Sequence, residues 1–131
     1  GTELDAKIIK MQELIDAAGT LEKRLRAESD DLQSELAGAG VDTAEAMRAS
    51  ADFSREESLF ERTNAAAAVG RFATDALAFC RVMRENLPRI QVSPAGEVTS
   101  KDREVESKLF HVRAQVKFQL SDRERTLSAL R

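Results

Sequence analysis

Residues 55 to 88 read REESLFERTNAAAAVGRFATDALAFCRVMRENLP, and this stretch decides the fold. From Leu59 to Leu87 its apolar side chains, among them Ala65 to Val69, Phe72, Leu77, Phe79, Cys80 and Met83, recur at helical spacing. At about 100° per residue they cover more than half the circumference of a helix, so it must be enclosed by neighbours on several sides. The spacing predicts a central, most buried helix over residues 55–87. Its small residues, Ala65 to Ala68 and Gly70, admit a neighbouring backbone at close range. Leu87-Pro88 stops it, because proline has no N–H to donate and disfavours a helical residue before it.

The segment before this helix carries two capping-box spacings, Asp42 with Glu45 and Ser54 with Glu57. They predict a short helix near 43–52 and a break near Phe53, which would allow a fourth bundle element; one uninterrupted helix over 43–87 is the alternative. Gly38 and Gly40 close a first helix over residues 3–37, since glycine takes the left-handed cap conformation without a Cβ clash. Thr2 is its candidate cap. Its apolar stripe is Leu4, Ile8, Met11, Ile15, Ala18, Leu21, Leu25, Leu32 and Leu36, at spacings mostly of three and four.

On the other side, residues 88–98 (PRIQVSPAGEV) read as a loop, and Thr99 or Ser100 as the cap of a last helix over 100–130. The inward stripe of that helix is Val105, Leu109, Val112, Val116, Leu120, Leu127 and Leu130. Phe110, Ala114 and Phe118 form a second stripe, spaced by four and turned well away from the first. Such a stripe either meets a second neighbour within the bundle or stands exposed as a seam for a partner helix or a second copy of the chain.

These elements specify an all-α fold: one elongated antiparallel bundle of three long helices, with a short fourth near 43–52. Composition agrees, with no Trp or Tyr and a predominance of strong helix formers. A chain of 131 residues supports one core, and a rod of three helices has a thin one, so dimerisation is expected as well.

The same sequence narrows the function classes. Twenty basic residues against 23 acidic give a net charge of −3, which disfavours a general polyanion binder. The balance shifts along the chain, from acidic over residues 1–40 to mildly basic over residues 91–131. Basic residues of the last helix are interleaved with acidic ones and lack aromatic partners for base stacking, so no nucleic acid is expected as a ligand. No apolar run reaches membrane-spanning length and no signal-peptide pattern opens the chain, so direct membrane insertion is not expected. Cys80 is the single cysteine, which removes any intramolecular disulfide and favours the cytoplasm, although a cysteine-poor periplasmic domain also fits. The Gly1-Thr2 start and the helical pattern running into Arg131 suggest a piece of a longer protein.

Motifs for catalysis are missing. There is no glycine-rich phosphate loop, nucleophile elbow, CxxC or HExxH, and position 108, three before the single histidine His111, is Lys rather than the Glu a bundle-type metal site needs. A lone histidine in a helical bundle is also the layout of phosphotransfer domains, but the segment after His111 (Val112-Arg113-Ala114-Gln115) lacks the glycine those domains carry there. It reads as a surface or bundle-edge histidine. Glu28, Asp31 and Glu35 share one face of the first helix and read as a solvated acidic face. No catalytic, cofactor-binding or metal-binding residue is therefore expected. The reading that follows is a non-catalytic protein–protein interaction module, an adaptor, scaffold or chaperone, with Phe110, Ala114 and Phe118 as candidate partner-binding residues. In size, acidity and helicity the chain is similar to flagellar and type III export chaperones, a likeness of composition without a shared motif. The alternative is a helical sensory domain of a bacterial receptor, which requires the first and last helices to meet the membrane at the same end of the rod.

Overall fold

The computed structural model describes residues 2–129. Four helices follow one another: α1 over Thr2–Gly38, α2 over Thr43–Glu56, α3 over Leu59–Glu85 and α4 over Arg103–Ser128. Between α3 and α4 stand a short 3-10 turn, Leu87–Arg89, and two three-residue strands, β1 (Ile90–Val92) and β2 (Val98–Ser100). The architecture is the all-α bundle expected. The 37 residues of α1 make a rod about 55 Å long.

Cross-helix contacts give the direction of each element. Ser50 hydrogen-bonds Ser29, Leu59 and Ala66 pack with Leu25, a Cβ on Gly70 would lie 3.7 Å from that of Ala18, and Arg84 approaches Asp5 at 3.0 Å. As numbering rises along α2 and α3 it falls along α1, so both lie antiparallel to α1, one after the other. α4 then runs antiparallel to α3: just before α4 begins, the Ser100 hydroxyl donates to the Arg89 carbonyl beyond the end of α3, whereas farther along α4 Asp122 meets Arg71 at 3.0 Å and the Arg123 guanidinium lies 4.9 Å from the centre of the Phe72 ring. Helix α3 is central, flanked by α1 and α4, which barely meet each other.

The expected break is real but lies later than Phe53. Helix α2 continues to Glu56, and the chain turns at Ser58, whose φ of 52° is left-handed. The Ser58 N–H donates to the Arg55 carbonyl, while its own carbonyl accepts from Arg62 and so starts α3. Because Phe53 packs beside Leu25 and Leu59, burial holds α2 helical through the position where the sequence suggested a cap. The break does not create a fourth bundle wall, since α2 packs mainly on α1 and much less on α3. Asp42 precedes α2 but makes no side-chain cap bond.

The turn between α1 and α2 follows glycine chemistry. Val41 N–H bonds the Leu36 carbonyl and Gly40 N–H bonds that of Ala37, the paired closure of a Schellman motif, with Gly40 at φ 93°. The predicted loop over 88–98 is more ordered than expected. Ser93-Pro94-Ala95-Gly96 makes a turn closed by Gly96 N–H to Ser93 O, Gly96 takes φ 86°, and Ile90 to Val92 pair antiparallel with Ser100 to Val98. Thr99 and Ser100 belong to β2, so the cap of α4 is Asp102, whose carboxylate accepts from the N–H groups of Glu104 and Val105.

Burial is sparse. The core is built largely from Ala18, Ala65, Ala66, Ala68 and Ala73, with Ile8, Leu25, Leu59, Leu77, Val105 and Leu109 as its larger members. Leu109 is the only large side chain with no exposure among the described residues. Leu21 and Phe60, expected inside, are 49 % and 73 % exposed, and Leu87 and Leu120 are also exposed. Leu130 lies outside the described residues. A globular protein of 14.5 kDa is expected to expose about 6,900 Å². This chain exposes 9007 Å², in keeping with an open bundle in which α1 and α4 barely meet.

Candidate functional site: the outward stripe of α4

Helix α4 is pinned at its start. Besides the Asp102 cap, Glu106 reaches back to accept from Ser100 N–H, and the Ser100 hydroxyl donates to the Arg89 carbonyl. The hairpin therefore fixes the first turn of α4 on the end of α3. Val105 and Leu109 are buried, and Val112, Val116 and Leu127 are half-buried along the same line. This line faces α3.

Phe110, Ala114 and Phe118 lie on the opposite side, all three exposed, the two phenylalanines at 71 % and 62 %. Their rings are about 12 Å apart along the helix axis. Of the two roles open to this stripe, a second neighbour within the bundle does not occur, since α4 packs on α3 and β2 and barely meets α1. The three side chains form one outward row. An exposed apolar row along one face of a helix is the kind of face that an amphipathic helix lays into a partner's apolar groove.

The remaining sequence candidates fall elsewhere. His111 is exposed beside the stripe. Glu28, Asp31 and Glu35 are exposed on α1, and among the described residues no group of three or more His, Cys, Asp and Glu side chains is gathered as a metal site would need. Cys80 is half-buried on α3; burial pushes its thiol above the ordinary value, and the charge of Lys7 partly opposes this. No helix is long and apolar enough to cross a membrane among the described residues.

One surface was not legible as a site. Leu14, Ala17 and Leu21 of α1 line an open groove of about 410 Å³ with Ala65 and Val69 of α3, and Leu127 reaches it from α4. Leu21 belongs to the apolar stripe read from the sequence of α1, and Leu14 to none. Their 3-4 spacing with Ala17 was the available signal, a second apolar line about a quarter-turn from the first.

Compared with known proteins, the chain matches no family model, no curated protein and no solved structure.

Proposed function

We propose that this protein is a non-catalytic interaction module, an adaptor, scaffold or chaperone of the cytoplasm, whose helix α4 binds an amphipathic helix of another protein through Phe110, Ala114 and Phe118. The observation that carries the reading is the outward exposure of both phenylalanines on a helix whose opposite side is already packed. Leaving two aromatic side chains in water forgoes roughly 2 kcal/mol each of burial free energy, which a partner would recover. One half-buried cysteine suits a compartment that keeps thiols reduced.

The sensory-domain alternative gains no support from the topology. Helix α1 starts beside the end of α3, as the Asp5–Arg84 pair shows, whereas α4 runs back toward the start of α3. The first helix therefore begins and the last helix finishes at opposite ends of the α3 rod.

Affinity capture from a source lysate, with mass spectrometry of what is bound, tests the proposal. A specific protein is expected with wild type and absent with Phe118→Glu, the variant being confirmed as folded by circular dichroism. Identical capture by both chains refutes the assignment of the α4 stripe.

A further inference from the structure

The groove on α1 has its own logic, independent of the α4 stripe. Its apolar centre, Leu14, Ala17 and Leu21, lies on a heptad line that continues in both directions along exposed positions. Toward the start of α1 the line carries Lys7 and Lys10; toward its end it carries Glu28 and Asp31. The stripe is thus positive at one end, apolar in the middle and negative at the other. A second copy laid antiparallel on it, with the two-fold axis level with residue 19, pairs Ala17 with Leu21 at the centre, Lys10 with Glu28 and Lys7 with Asp31. Each pair occurs twice. Arg24 then lies over Leu14 of the partner copy, its stem on the leucine, and Glu35 falls opposite Glu3, beyond the complementary stretch. Parallel copies would instead set Lys against Lys and acid against acid, which disfavours that orientation.

We infer that α1 is a homodimerisation face, and that a second copy of the chain docks antiparallel along the Lys7–Asp31 stripe with its α1 in the groove between α1 and α3. Exposed area agrees with this occupant. The chain shows about 2,000 Å² more surface than a globular protein of its mass, and a standard interface needs about 800 Å² from each partner. The groove is where the third wall of the bundle is missing, and the second copy supplies it as a four-helix arrangement of α1 and α3 from each chain.

Sedimentation equilibrium tests this, using the full chain. Wild type is expected at twice its 14.5 kDa mass at high micromolar concentration, with association weakening as salt rises. Leu21→Glu should give monomer with an unchanged circular dichroism spectrum, since Leu21 is exposed. Lys7→Glu with Lys10→Glu should weaken dimerisation roughly tenfold or more, and adding Glu28→Lys with Asp31→Lys to that chain should restore it. A wild type that stays monomeric overturns the inference. So does a dimer indifferent to these changes, or one dissolved by Phe118→Glu, which would place self-association on α4 instead.

Discussion

Ser58 and Gly40 both adopt left-handed backbone, yet only one of them is glycine. A non-glycine residue there carries strain of about 1 kcal/mol, which Ser58 bears so that α2 can end and α3 begin in two residues. Ser58→Gly should therefore leave stability unchanged or raise it by up to about 1 kcal/mol, the relief of strain being offset by the freer unfolded chain. Gly40→Ala should lower it by about 1 kcal/mol or more, because nothing crowds the site and backbone conformation alone is at stake. Urea titrations of the two variants measure this directly, and opposite placement of their midpoints would show that the left-handed assignments are wrong. At Cys80, burial raises the thiol pKa, so less of the nucleophilic thiolate is present near neutral pH. Its alkylation by iodoacetamide should be slower than that of an unstructured peptide thiol and should reach the peptide rate in denaturant.

At the scale of elements, each junction has a polar clip of its own. Ser50 donates to the Ser29 carbonyl at 2.6 Å where α2 meets α1, and Asp122 accepts from Arg71 where α4 meets α3. Arg71 first, and Arg125 next, hold the Asp122 carboxyl below its ordinary range. A carboxylate whose pKa is depressed in the folded state stabilises it above the unfolded pKa of about 4, and that contribution is lost as pH falls through the lower folded value. Asp122→Asn should thus reduce the melting temperature at pH 7, and the gap from wild type should narrow as pH falls below about 4. Melting curves across that range check it; a gap that stays constant or widens on acidification would rule out the ion pair as its source. These two junctions differ in what could be seen in advance. Antiparallel neighbours were legible from helix length and turn signals, whereas the partner of Arg71 was not, because 51 residues separate it from Asp122.

At the scale of the whole molecule, the two faces of α4 divide stability from recognition. Leu109 has no exposed surface, so Leu109→Ala should cost about 2–5 kcal/mol, a large share of what a single thin core supplies. Phe118 is exposed, and Phe118→Glu should change stability by less than about 0.5 kcal/mol. Thermal unfolding of both variants distinguishes them; comparable losses would mean that the outward stripe is packed in the folded chain. The open bundle explains why so few large side chains are enclosed. With α1 and α4 apart, α3 is covered on two sides only, and alanine contacts at Ala18, Ala66, Ala68 and Ala73 replace a layer of larger residues.

Read by itself, the sequence determined the helices, because their periodicity, their glycine and proline stops and the breadth of the apolar face on α3 are local properties of the chain. It also determined that Phe110, Ala114 and Phe118 point away from the line of Val105 and Leu109, since that angle follows from helical geometry alone. It misplaced the C-terminal end of α2 and the cap of α4. There the competing signals, Ser54 and Ser100, are chemically adequate caps, and packing of Phe53 and pairing of β2 chose otherwise. Tertiary structure alone decided which apolar residues are enclosed. Leu21 and Leu25 are both leucines in one predicted stripe, yet Leu25 faces Leu59 and Ala66 while Leu21 borders the open groove. Burial depends on whether another helix arrives, and the separation of α1 from α4 is set by the sum of all contacts with α3, which no single stretch of the chain encodes.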